Sequence, residues 1–174
     1  MNSRKCEIAA NFGMKAVVIS NKEGTPMVKV KIDDCADENL MGPFLSAIKS
    51  FSREILGDGS EVSFRTGNLD LYCFTKQYQK LELMIFTLMD NSMVKIDLRS
   101  ESESALDAFV SHFGEDKILK WTGDVSMYVS FEQALQNQIK EYFNRVNQAK
   151  DNNKDATSSK NGFFARILEK LRIK

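Results

Sequence analysis

The chain has 174 residues, of which 43% are hydrophobic and 28% charged, with no formal net charge; this fits one folded domain plus an appendage and excludes wholesale disorder. The neutrality hides an asymmetry, because Lys160 to Lys174 holds five Lys/Arg and one Glu, or +4, which leaves −4 for the rest. An acidic body argues against general nucleic-acid binding, and no apolar run approaches the ~20 residues a membrane-spanning helix needs.

Met1 to Gly13 is too polar for the apolar part of a secretory signal, so a cytoplasmic location is expected. Cys6, Cys35 and Cys73 are odd in number and widely spaced. They read as reduced thiols rather than a disulfide framework or zinc site.

In chain order, Met14 to Ser20 is a compact apolar run followed by turn residues Asn21-Lys-Glu-Gly-Thr-Pro26. Val28, Val30 and Ile32 then alternate with Lys29 and Lys31. The pattern predicts a β-hairpin. After the acidic stretch Asp33 to Glu38, the apolar positions Met41, Phe44, Leu45, Ile48, Phe51, Ile55 and Leu56 make one face of a helix. Gly42 and Pro43 mark its start and Gly57-Asp-Gly59 its end.

Glu61 to Thr66, Leu69 to Lys76 and Lys80 to Leu88 are three strand candidates, separated by Gly67-Asn68 and Gln77-Tyr-Gln79. Such short connections predict an antiparallel meander. Leu69, Leu71 and Cys73 share one face of the second strand, and Tyr72 and Phe74 lie on the other. Cover by another element is the commoner fate for that second face, and exposure to a partner is the alternative.

From Ser92 the periodicity is ambiguous. Val94, Ile96 and Leu98 alternate as in a strand, while Val94, Leu98, Ala105, Phe109 and Phe113 suit a long helix. A helix throughout is favoured, with Ser100 and Glu103 as a capping box for its second half. After a turn at Gly114, Lys120-Trp-Thr-Gly-Asp124 reads as a loop. Phe131, Ala134, Leu135, Gln138, Ile139 and Tyr142 then mark a last helix, with the compact domain ending near Phe143. The organisation expected is an extension over 1–13, a domain over 14–147, a polar linker over 148–161 and a basic amphipathic helix over 162–174.

The order β-β-α-β-β-β-α-α over Met14 to Phe143 resembles the longin fold. The hairpin Met14 to Ile32, the helix Phe44-Leu-Ser-Ala-Ile-Lys-Ser-Phe51 and Trp121-Thr-Gly-Asp124 leading to Tyr128 and Phe131-Glu132 are the most suggestive pieces. The roadblock domain is a near neighbour, but it normally adds a helix before its first strand, for which Met1 to Gly13 makes a weak case. The resemblance implies an α+β domain with a five-stranded antiparallel sheet between one helix and two others. It also implies a non-catalytic platform that binds a small GTPase, another longin or roadblock subunit, or a peptide, often in membrane trafficking. A longin SNARE would add roughly 50 to 60 residues of heptad pattern and commonly an anchor. Neither follows here, so a stand-alone adaptor is the better match.

Residues with chemical capacity read blandly. His112, the only histidine, sits late in an amphipathic stretch where a helix-end role outweighs catalysis. Asp33-Asp34 and Asp37-Glu38 lack the alternation and central glycine of a calcium loop. Gly57-Asp-Gly-Ser60 lacks the Lys-Ser/Thr of a phosphate loop and reads as a helix stop. Trp121 more often closes a core than anchors an interface. No catalytic residue, cofactor or metal is expected; an enzyme whose acidic catalysts meet only in space has no motif behind it.

The sharpest signal outside the fold is the tail. Phe163, Phe164, Ile167, Leu168 and Leu171 form an apolar stripe, with Arg166, Lys170, Arg172 and Lys174 around it. Such a segment suits an anionic membrane surface or a partner groove, with docking on its own domain or a sister subunit as the alternative. A homo-oligomeric scaffold, built on a sheet edge or helix, is the runner-up reading of the whole chain.

Overall fold

The computed structural model describes residues 13–32, 61–93 and 95–149, together with Ala47 and Ser50. Its first strand, β1 (Met14–Asn21), is buried along most of its length on both faces. Val17 and Ile19 join one apolar cluster and Val18 the other, which explains why this segment reads as a continuous apolar run rather than an alternation. Asn21 closes the following turn with its side chain: Oδ1 accepts from the backbone N–H of Glu23 at 3.1 Å and of Thr25 at 2.8 Å.

β2 (Pro26–Lys31) buries Val28 and Val30 and exposes Lys29 and Lys31, as the alternation predicts. A register shift at Ile19/Ser20 lies beside Pro26, which has no N–H to give the ladder. The expected helix over Met41 to Leu56 lies outside the described residues. Ala47 and Ser50 within it are helical and exposed, off its predicted apolar face.

β3 (Glu61–Thr66), β4 (Leu69–Gln77) and β5 (Glu82–Asp90) form the predicted meander. All pairs are antiparallel and the five strands run in the order β2-β1-β5-β4-β3. The third meander strand is displaced from its expected span of Lys80 to Leu88. Tyr78 N–H donates to the Leu81 carbonyl at 2.8 Å, so Lys80 and Leu81 belong to the turn. At the far end Asp90 N–H donates to the Gly13 carbonyl at 2.7 Å and extends the strand.

The segment from Ser92 is a correction. It does not begin as a helix: residues 91–93 and 95–97 are non-helical, and Asp97 adopts φ 48° before α1 (Leu98–Phe113) starts. The polar groups of the crossing are committed to tertiary partners. Lys95 pairs with Asp70, and Ile96 N–H donates to the Tyr142 hydroxyl at 3.2 Å. The capping box is not formed either, because Ser100 lies inside the first turn and Glu103 accepts from Arg99 Nε at 2.9 Å.

Gly114, at φ 79°, separates α1 from a single-turn helix, α2 (Glu115–Leu119), that the sequence did not announce. A 3-10 turn (Val125–Tyr128) leads into α3, over 129–149. Phe131, Leu135, Ile139, Tyr142, Phe143 and Val146 of α3 are buried. Ala134, expected on that stripe, is exposed, and Gln138 is half-buried, its amide donating to the Glu101 carbonyl at 3.1 Å.

The larger cluster joins Val17, Ile85 and Met89 of the sheet to Leu106 and Phe109 of α1 and to α3; the smaller one, with Leu71, Met84 and Phe86, lies on the opposite face. Phe74 is buried in the larger cluster and Tyr72 packs against it, so that face of β4 is covered. The five-stranded antiparallel α+β architecture is the one the longin resemblance implies.

Candidate binding surfaces

Successive residues of a helix are turned by about 100°, and the two last residues of α2 differ in burial. Ile118 turns into the core and Leu119 turns out to solvent. Trp121 follows at once. Its backbone N–H donates to the Ile118 carbonyl at 3.1 Å and its indole N–H to the Asp124 carbonyl at 2.9 Å, with its ring 5.8 Å from that of Tyr128. Asp124 in turn caps the 3-10 turn, its carboxylate accepting from Ser126 N–H at 2.9 Å. The Ser126 side chain first, and then its backbone N–H, hold the Asp124 carboxyl below its ordinary range.

This chain of local bonds fixes an outward-facing apolar patch. Leu119, Val125 and Val129 are 50, 48 and 55% exposed. Beside it lies a groove of about 820 Å³ between the β1–β2 turn, the β4–β5 turn and α2, lined among others by Lys22, Glu23, Lys80, Leu119 and Trp121. Trp121 thus closes the core on one side and lines the groove on the other.

Charged pairs brace the groove's neighbours. Lys80 Nζ pairs with Asp116 at 2.8 Å while its backbone N–H donates to Glu115 at 2.8 Å, tying α2 to the β4–β5 turn. Asp107 of α1 takes Lys76 Nζ at 2.7 Å and the Tyr78 hydroxyl at 2.9 Å. Lys76 keeps that carboxyl below its ordinary range. Burial, then the bond to Asp107, pushes the Tyr78 phenol well above its own.

At the other end of β4, Asp70 is 2% exposed yet charged. It accepts from Arg65 Nε at 2.8 Å, from the Tyr72 hydroxyl at 3.3 Å and from Lys95. The Arg65 and Lys95 bonds hold it far below the usual carboxylate range. Carboxylates matched to cations in this way stay ionised; they are structural braces rather than proton donors.

The sheet edges differ. β2 carries Pro26, an adjacent register shift and exposed lysines, devices that discourage pairing with another chain. β3 has neither proline nor a register shift, and its charged residues pair inside the domain: Arg65 with Asp70 and Glu61 with Arg99.

His112 is exposed in the last turn of α1, its ring 4.6 Å from Phe113 and 6.0 Å from Phe131. Cys73 is buried and in no disulfide among the described residues. Among the described residues no group of three or more His, Cys, Asp or Glu side chains is placed to hold a metal, and no helix is long and apolar enough to cross a membrane. The tail residues Phe163, Phe164, Arg166, Ile167, Leu168, Lys170, Leu171, Arg172 and Lys174 lie outside the described residues, as do Cys6, Cys35, the Asp33 to Glu38 stretch and Gly57 to Ser60.

The apolar patch is what sequence reading missed. The available signal was Val129, an aliphatic residue off the Phe131-Leu135-Ile139 stripe.

No family model matches the chain, and no curated protein matches it. Solved structures similar to it include MglB with tetrameric arrangement, at 11% identity and a TM-score of 0.45 over 60% of this chain and 81% of that one. A Roadblock/LC7 domain from Streptomyces avermitilis matches at 10% identity and a TM-score of 0.45 over 57% and 85%. Myxococcus xanthus MglB matches at 13% identity and a TM-score of 0.44 over 65% and 98%. At these values the likeness carries no inference about partner or activity.

Proposed function

We propose that the chain is a non-catalytic longin-like adaptor or regulator that binds a small GTPase or another longin- or roadblock-type subunit in a trafficking-type assembly, with Phe163 to Lys174 recruiting it to an anionic membrane surface. The observation that carries the reading is the continuous antiparallel sheet β2-β1-β5-β4-β3 backed by α1 and α3, joined to the longin-like element order of the sequence. The basic amphipathic pattern of the tail supports the membrane part. Small GTPases loaded in turn with GDP and with a non-hydrolysable GTP analogue are to be used as bait for the full chain. Retention of the chain in one nucleotide state supports the reading; retention by no GTPase, with no longin- or roadblock-type protein captured when the full chain is itself the bait, sinks it.

A second reading, self-assembly as a scaffold, is favoured by the contrast between the guarded β2 edge and the β3 edge, which has neither proline nor a register shift. The two-residue turn Gly67-Asn68 makes Thr66 and Leu69 a hydrogen-bonded pair, and the alternation from there aims the backbone N–H of Ser63 away from β4. Ser63→Pro therefore spares the domain's own ladder and blocks strand addition. Light scattering should give a dimer or larger species for the wild type and a monomer for this variant. A monomeric wild type at all concentrations rules out the scaffold.

A further inference from the structure

Leu119, Val125 and Val129 are the exposed large hydrophobic side chains among the described residues, and all three fall within one segment of eleven residues, 119–129. Leu119 and Trp121 line the groove, while Val125 opens the 3-10 turn whose Tyr128 ring packs against Trp121, and Val129 follows that turn. Exposed apolar side chains concentrated in this way mark a contact surface. The helical layer that carries these side chains is acidic in sum: residues 98–149 hold eight Asp/Glu against five Lys/Arg. An occupant that fits is therefore a short amphipathic segment with an apolar stripe and positive flanks.

We propose that this surface is the docking site of the chain's own segment Phe163 to Leu171. The inference rests on the reading of the tail as a binding segment and adds where it binds. Phe163, Phe164, Ile167, Leu168 and Leu171 supply the stripe, and residues 160–174 carry five Lys/Arg against one Glu, opposite in sign to the helical layer. The connection reaches. The patch lies at the start of α3, whose 21 residues over 129–149 span about 32 Å, and a stretch of thirteen residues, the number between α3 and Phe163, can bridge at most about 43 Å. Docking and membrane binding then compete for the same apolar stripe, so the body holds the tail until a membrane takes it.

The test is hydrogen exchange by mass spectrometry on the full chain. Amides of Phe163 to Leu171 should exchange at least tenfold more slowly than an unstructured chain, at all protein concentrations. Leu119→Asp with Val129→Asp, both at exposed positions, should return them to the unstructured rate while β1 and β5 keep wild-type protection. Leu168→Asp with Leu171→Asp should do the same from the other side. Wild-type tail amides at the unstructured rate overturn the proposal, as does protection that survives Leu119→Asp/Val129→Asp. Protection that grows with concentration also overturns it, in favour of a second copy. In co-sedimentation with phosphatidylserine-containing vesicles, Leu119→Asp/Val129→Asp should bind several-fold more than wild type. If neither protein binds vesicles but the exchange pattern holds, docking stands and the membrane part of the proposed function falls.

Discussion

Lys95, in the crossing from β5 to α1, forms an ion pair with Asp70 of β4, 25 residues earlier in the chain. The crossing has no strand or helix of its own over 91–93 and 95–97, and this bond, together with the Ile96 to Tyr142 bond, tethers it to the body. The carboxylate is buried, and losing its charge leaves Arg65 and Lys95 without their shared partner.

Stability should therefore fall in acid with a definite sign. The folded-state carboxyl of Asp70 lies well below its ordinary value because Arg65 and Lys95 hold it. Its contribution is complete above the unfolded value of about 3.9 and is lost as pH falls below that toward the folded value. Asp70→Asn should lower the melting temperature at pH 7 and flatten the decline below pH 4. Urea midpoints at half-unit steps from pH 2.5 to 6 give the comparison; parallel curves for the two proteins would show that Asp70 is not the group responsible.

The alkaline side depends on Tyr78, Tyr128 and Tyr142, whose phenols burial pushes above their ordinary value. A raised folded-state value stabilises the fold fully below the unfolded value of about 10 and is lost as pH rises beyond it. Absorbance at 295 nm should show these three ionising only with unfolding. Tyr78→Phe, which removes the bond to Asp107, should cost about 1 kcal/mol in urea denaturation at pH 7.

Phe109 and Tyr128 should respond in opposite directions to truncation. Phe109 is fully buried and packs against Phe113, Tyr128 and Phe131, each with ring centroids 5.1 to 5.2 Å away. Phe109→Ala opens a cavity at the junction of α1, the 3-10 turn and α3 and should cost about 3–5 kcal/mol. The Tyr128 hydroxyl is buried without a hydrogen-bond partner among the described residues. Tyr128→Phe relieves that burial and should leave the protein as stable or more so, by up to about 1 kcal/mol. A loss of stability in Tyr128→Phe would reveal a bond made by the hydroxyl in solution.

Gly13 should tolerate no side chain. It adopts φ 76°, and a Cβ placed on it would stand 2.6 Å from Asp90 Oδ2. Asp90 is not free to withdraw: its backbone N–H bonds the Gly13 carbonyl and its carboxylate pairs with Lys15 at 3.5 Å. Gly13→Ala should destabilise by about 1–3 kcal/mol, read from thermal or urea unfolding, with the earliest hydrogen-exchange losses at the β1–β5 junction.

The sequence by itself determined the elements whose pattern is local. Val28 and Val30 against Lys29 and Lys31 specified β2 and its buried face, and Asn21 to Pro26 specified the turn before it. Gly67-Asn68 placed the β3–β4 hairpin, and Phe131, Leu135, Ile139 and Tyr142 placed the core face of α3. In each case a period or a turn chemistry acts over a few residues and needs no distant partner.

Only the tertiary structure decided the start of α1, because Val94 to Leu98 suits two periods. The choice fell to contacts of Lys95 and Ile96 with Asp70 and Tyr142, 25 and 46 residues away. The charge on Asp70 likewise depends on cations that the fold brings to it, and nothing in Leu69-Asp-Leu71 announces it. The apolar patch belongs to the same class. Leu119, Val125 and Val129 are ordinary aliphatic residues in sequence. They become a candidate docking surface because α2 ends after one turn and turns Leu119 away from the core, while Trp121 and Asp124 lock the chain that carries Val125 and Val129 with them on the surface.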